Sequence, residues 1–198
     1  IRDREYTTLN LVHGEITPMR YGGNYKSYGP QYPRGIQVGN GVPADGDLWV
    51  SYSVNKEDMW ISRIPVPVEI SASAHADDDF SKNKSIAELT DWNIYSPVWA
   101  PVSLEDQWLK LQDKDPFDYA KVERKIPASK ELKVSFDLKA GQNNKGTLQI
   151  EFLDENGIAC SRMELTDDGI FRLKGGSRFA NMMKYEAGKI YHVEAVLS

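Results

Sequence analysis

Apolar and polar residues alternate through much of the chain, which favours strands over helices. Over residues 47–54 (Asp-Leu-Trp-Val-Ser-Tyr-Ser-Val) apolar side chains recur at every second place. Four polar residues, Asn55-Lys56-Glu57-Asp58, follow, and residues 59–64 (Met-Trp-Ile-Ser-Arg-Ile) make a second run. Two such runs around a short polar connection predict a β-hairpin. Pro65-Val66-Pro67-Val68 ends the pairing, because a proline nitrogen has no hydrogen to donate to a ladder.

From Glu69 to about Thr90 the residues become small, polar and acidic, with Asp77-Asp78-Asp79 at the centre. This stretch predicts a linker or a solvated surface excursion. Residues 86–89 hold a turn of helix at most, and the aromatic run 91–99 must pack on something. A second β region then begins. Strands are predicted over 120–126, 131–138, 147–153, 158–165, 170–174 and 189–197. Asp154-Glu155-Asn156-Gly157 and Asp167-Asp168-Gly169 supply turns where positive φ is tolerated. The last run alternates like a strand with no successor, which needs a partner for its backbone groups. Many short strands with a turn every eight to twelve residues predict an all-β sandwich or jelly roll. The two β regions are not repeats of one another.

Composition narrows the classes. The 198 residues carry a formal net charge of -5, which excludes a general nucleic-acid binder, since that needs a basic surface. No apolar run approaches the roughly 20 residues of a membrane helix. A single cysteine, Cys160, excludes an internal disulfide and a cysteine-based zinc site. On its strand it reads as a packed small residue rather than a nucleophile. Three histidines, at 13, 75 and 192, leave little for a metal centre. The acid run lacks the spacing and glycine of a calcium loop. No metal and no cofactor is expected.

The densest chemistry lies in residues 13–40, where His13, Glu15, Arg20, Arg34, Asn40 and four tyrosines sit among glycines. Long glycine-rich connections lie on the rim of a β scaffold, where function concentrates. A guanidinium such as that of Arg34 grips a carboxylate with two parallel hydrogen bonds. A carboxyl such as that of Glu15 moves a proton or orients a group that does. The other account is a packed loop in which Arg34 pairs with a structural acid. For the turn at 55–58 the plainer account is a solvated turn, with Asn55 and Asp58 capping it.

Residues 29–36 (Gly-Pro-Gln-Tyr-Pro-Arg-Gly-Ile), Gly39-Asn40-Gly41 and the run 47–67 resemble the end of a sialidase-like β-propeller, as found in bacterial BNR-repeat, exo-sialidase-like proteins. Residues 91–97 and 99–102 are similar to the linker of those proteins, and the β region after them to their concanavalin-type jelly-roll appendage. The resemblance implies an all-β chain with a terminal propeller blade over 1–68, a linker over 69–105 and a concanavalin-like sandwich over 106–198, both β parts incomplete. It implies six blades with an arginine cluster, an acid/base and a Tyr/Glu pair on the axial face. The Asp-box pattern Ser-x-Asp-x-Gly-x-x-Trp does not occur in these residues. His13, Glu15 and Tyr32 are the catalytic candidates by this resemblance, and Arg34, Asn40, Lys56, Glu57 and Asp58 the substrate-binding ones.

The implied partners are a glycan and the earlier blades of the same chain, with no nucleic acid and no membrane. The implied compartment is secreted or periplasmic. Three functions stay open: part of a glycoside hydrolase acting on acidic glycans, a carbohydrate-binding sandwich using Trp108, Phe117 or Tyr119, and a structural cover for the propeller seam. A blade without neighbours is expected to expose Leu48, Val50, Trp60 and Ile61, and the fragment alone to be inactive.

Overall fold

The computed structural model of the protein describes residues 12–36, 46–65, 75–116, 118–154 and 157–198. They fall into two compact units, one ending at Pro127 and one running from Ala128 to Ser198. Apart from one 3-10 turn at Ile86–Glu88, every regular element described is a strand. The protein is all-β.

The first unit holds β1 (Gly14–Ile16), β2 (Pro30–Ile36), β3 (Leu48–Val54), β4 (Asp58–Ile64), β5 (Trp92–Pro97), β6 (Val102–Glu105), β7 (Trp108–Leu111) and β8 (Lys121–Arg124). Strands β2, β3 and β4 form an antiparallel meander in that order. Strand β5 lies between β1, which runs parallel to it, and β8, which runs antiparallel. Strands β6 and β7 close a hairpin.

The alternation of β3 decides which face of the meander is covered. Val50, Tyr52 and Val54 point inward and cluster with Ile16, with Val12, Trp60 and Tyr95 packed alongside. Val50 is therefore buried, against the expectation that a blade without neighbours would expose it. Strand β1 and Tyr95 cover that face. Ile61 is exposed as expected, with Met59 on the same open face. A second cluster gathers Leu89, Ile94 and Val102, so the aromatic run does find its packing partners.

The acid run departs from a solvated linker. Asp78 accepts hydrogen bonds from Trp92 Nε1 at 3.2 Å and Arg124 Nε at 3.1 Å, which ties it to β5 and β8. The sequence at 75–79 shows carboxylates but not their partners, which lie up to 46 residues away.

The second unit holds β9 (Leu132–Lys139), β10 (Leu148–Leu153), β11 (Ala159–Leu165), β12 (Ile170–Gly175), β13 (Arg178–Lys184) and β14 (Ile190–Leu197). Strands β10 to β13 make a four-stranded antiparallel meander. The last strand, β14, has its partner in β9. Of the expected turn at 154–157, Glu155 and Asn156 lie outside the described residues, and the amide of Gly157 donates to the carbonyl of Asp154 at 3.0 Å; the turn at 167–169 forms. Gly157 and Gly169 adopt φ of +77°, and the amide of Gly169 donates to the carbonyl of Thr166 at 3.1 Å. Cys160 is exposed rather than packed. Phe152 pairs with Ser161 and Leu153 with Ala159, so Cys160 is the extra residue of a β-bulge and is turned outward.

Candidate functional site

Asn55 organises the site. It and Lys56 both take φ of +57° at the turn between β3 and β4. Positive φ at both central residues suits the twist of a tight hairpin, and asparagine tolerates it better than most residues. The amide of Glu57 donates to the carbonyl of Val54 at 3.0 Å, closing the turn. The Asn55 side chain is buried and bonded at both ends. Its Oδ1 accepts from the amide of Gly29 at 2.8 Å, and its Nδ2 donates to the carbonyl of Thr17 at 2.7 Å. The turn thereby clasps both ends of the connection between β1 and β2.

Glu57 clasps the middle of that connection. Its carboxylate accepts from the amides of Arg20 (2.9 Å) and Tyr21 (2.7 Å) and from Lys26 Nζ (2.7 Å). Only 3% of its side chain is accessible. The Lys26 hydrogen bond, the Arg20 amide and the Tyr21 amide hold its pKa down to about 2, against a smaller effect of burial. Asp58 accepts from Arg20 Nη2 at 2.6 Å. Glu57 is therefore an ionised anchor with its oxygens occupied, and the turn is not a solvated one.

Lys56 faces the other way. Its ammonium bonds the carbonyl of Tyr25 and lies 5.6 Å from the centre of the Tyr32 ring. Tyr32 and Pro33 form a bulge in β2, because Gln31 pairs with Ser53 and Arg34 with Ser51. The bulge gives Tyr32 a φ of +55° and leaves its side chain 63% exposed. An open cavity of about 280 Å³ lies here, lined by Tyr32, Ser53, Lys56, Glu57, Asp58 and Met59.

The structure thus brings four of the sequence candidates, Tyr32, Lys56, Glu57 and Asp58, to one cavity. Arg34 is exposed on β2 and does not line it. Its guanidinium has no ion pair or hydrogen bond among the described residues, so a structural acid does not claim it. His13 and Glu15 are exposed at and beside β1, in a different sheet, and do not line the cavity either. Asn40 lies outside the described residues, as does Phe117. Tyr119 is exposed, whereas Trp108 is half-buried.

Sequence reasoning missed Arg20 and Lys26 as partners of the turn, and it gave Asn55 only a capping role. The available signal was the pairing of a cation-bearing, glycine-rich stretch with an acidic turn of complementary charge. Among the described residues no group of three or more histidine, cysteine, aspartate or glutamate side chains is placed to hold a metal. No helix among them is long and apolar enough to cross a membrane.

An exposed ring beside a fixed cation, on the rim of antiparallel sheets, belongs to the class of all-β proteins that present rigid polar-aromatic surfaces. Comparison with known proteins makes this specific: residues 92–198 match the family described as "Sialidase-like, CBM domain", and the chain belongs to that family of carbohydrate-binding modules. A solved structure titled "Sialidase" is 91% identical, with a TM-score of 0.73, over 98% of this chain and 18% of its own. The chain thus spans less than a fifth of the length of that relative. No curated protein matches the chain.

Proposed function

We propose that the chain is a section of a sialidase-like glycoside hydrolase that acts on acidic glycans, and that its part in the work is to hold the glycan. The observation that carries this is the pairing of Lys56 with Tyr32. The Lys56 ammonium has no carboxylate partner among the described residues, and it sits over an exposed ring at an open cavity. A tyrosine ring covers the apolar face of a sugar, and a fixed cation binds a carboxylate on the same sugar. Arg34 supplies a second cation without a carboxylate partner among the described residues, on the same strand as Tyr32. In this reading strands β2 to β4 form the terminal blade of a propeller and the later strands a concanavalin-like sandwich.

Catalysis needs a proton donor, and Glu57 is unsuited to be one because it stays ionised down to about pH 2. The chemistry then depends on other parts of the enzyme, with Glu15 and His13 as the candidates in this section. The second reading, a binding module without catalysis, is favoured by the match of residues 92–198 to a carbohydrate-binding family. One experiment separates them. The full-length protein and this chain are compared on a panel of acidic and neutral oligosaccharides, with Arg34→Ala and Tyr32→Ala as variants. Cleavage of an acidic glycan that Arg34→Ala abolishes without unfolding supports the enzyme reading. Binding without any cleavage supports the module reading.

A further inference from the structure

The four-stranded sheet of the second unit carries an arrangement of charge that the Tyr32 cavity does not use. Cross-strand pairing places Glu151, Arg162, Lys174 and Phe179 in one row across β10 to β13. The neighbouring row on the same face is Gln149, Glu164, Arg172 and Asn181. Glu164 is buried at the centre. It accepts from Arg172 Nε at 2.7 Å, from Gln149 Nε2 at 3.2 Å and from Arg162 Nη1 at 3.4 Å. Arg162 also donates to Glu151 through Nε at 2.6 Å. Both arginines are thus neutralised.

Lys174 is different. It has no carboxylate partner among the described residues, and its ammonium lies 5.2 Å from the centre of the Phe179 ring. Arg172 lies over the same ring at 4.6 Å. Lys174 also sits directly opposite Arg162 on the adjacent strand. Like charges facing each other across a ladder are unfavourable. A small cavity of about 80 Å³ opens beside this pair, with Ser161 and Gly176 also lining it. Three cations and two carboxylates on one face leave one positive charge uncompensated, next to a ring that is 47% exposed.

We propose that this face is a second binding subsite, in which Lys174 holds the anionic group of an acidic sugar whose ring lies against Phe179. The anion is a sulfate or a carboxylate, since both offer oxygens to an ammonium. An anion there compensates the charge of Lys174, and the exposed Phe179 ring covers an apolar sugar face. The subsite rests on the carbohydrate reading but not on cleavage, nor on Tyr32.

The test is calorimetric binding of the full-length protein to three oligosaccharides of equal length: one sulfated, one containing uronic acid and one neutral. Lys174→Met keeps the stem and removes the charge, and Lys174→Arg restores it. Loss of one charge-assisted contact is expected to weaken anionic oligosaccharides about tenfold in Lys174→Met and to leave Lys174→Arg near wild type. Phe179→Ala is expected to weaken binding too, and Tyr32→Ala to leave the Lys174-dependent part intact. Preference for the sulfated or the uronic arm identifies the anion. Unchanged affinity in both Lys174→Met and Phe179→Ala overturns the subsite, as does the absence of any preference for anionic over neutral sugars. Loss of cleavage in Arg34→Ala is read separately, so failure of the hydrolase reading is distinguishable from failure of this one.

Discussion

Glu57 and Lys26 stand 31 residues apart in sequence and meet at 2.7 Å, with the carboxylate almost wholly shielded from water. The same carboxylate takes the amides of Arg20 and Tyr21. One side chain on a hairpin turn therefore fixes the path of a long, glycine-rich connection. That connection carries the Tyr25 carbonyl, which in turn places Lys56 over Tyr32. The rigidity of the candidate sugar platform is inherited from a partly buried ion pair behind it.

Acid should loosen this clasp. The folded carboxyl of Glu57 titrates at about 2, below its ordinary value of 4.5. A depressed carboxyl contributes stability that is fully present above its ordinary value and is lost as pH falls toward the folded one. Denaturant unfolding of the wild type and Glu57→Gln, at a series of pH values from 7 down to 2, should show a gap that narrows below about pH 4.5. A gap of constant size would show that the charge of Glu57 does not do the clasping.

Asn55 offers a test that separates conformation from hydrogen bonding. Asn55→Ala removes both side-chain bonds and leaves a Cβ at positive φ, whereas Asn55→Gly removes only the bonds. Exposing the amide of Gly29 and the carbonyl of Thr17 without partners should cost about 1–3 kcal/mol in either variant. Alanine should cost about 1 kcal/mol more than glycine because of the left-handed backbone. Thermal unfolding should therefore rank wild type above glycine and glycine above alanine, and the reverse order of the two variants would refute the turn argument.

Gly29 is needed for two reasons at once. Its φ is +77°, and a Cβ there would lie 3.0 Å from the Tyr95 hydroxyl. That hydroxyl donates to Asp118 at 3.1 Å and has little freedom to move. Gly29→Ala should destabilise by about 1–2 kcal/mol from the backbone alone, with the collision added. In a Tyr95→Phe background the collision is gone, so the same substitution should cost less. Equal costs in the two backgrounds would show that the contact with Tyr95 contributes nothing.

How much of this was legible follows from where each partner lies. The β3–β4 hairpin and strands β10 to β12 announce themselves, because one buried or half-buried face imposes a two-residue period on Val50, Tyr52 and Val54, and on Leu148, Ile150 and Phe152. Strand β2 does not, because Pro30, Pro33 and Gly35 read as loop. It survives as a strand because it is an edge, where a missing amide hydrogen and a bulge are tolerated. Strand β13 is exposed at every position, so it has no apolar face to give a period. Lys56, Glu57 and Asp58 were legible as a cluster. Their division of labour was not, because it is set by Arg20, Tyr25 and Lys26 across a chain reversal that sequence spacing does not reveal.

His192 provides a titration that reports on the second unit. Its Nδ1 lies 2.8 Å from Asp137 Oδ1 on the paired strand β9, and its Nε2 lies 3.7 Å from Glu194 on its own strand. The hydrogen bond to Asp137 comes first in raising its pKa above 6.5; desolvation opposes it, and the charge of Asp137 and the contact with Glu194 add to the rise. Lys133 lies 3.9 Å from Glu194 and dilutes that carboxylate's pull. A histidine with a raised folded pKa contributes stability that is present below its unfolded value and disappears as pH rises through the folded one. Both partners of the main pair are more than half exposed, so the effect on unfolding should be small. The sharper readout is the NMR titration of the His192 ring. It should fall above 6.5 in the wild type and return toward 6.5 in Asp137→Asn, while Glu194→Gln should produce the smaller change. A His192 titration unmoved by Asp137→Asn would show that the contact with Asp137 does not stabilise the protonated ring.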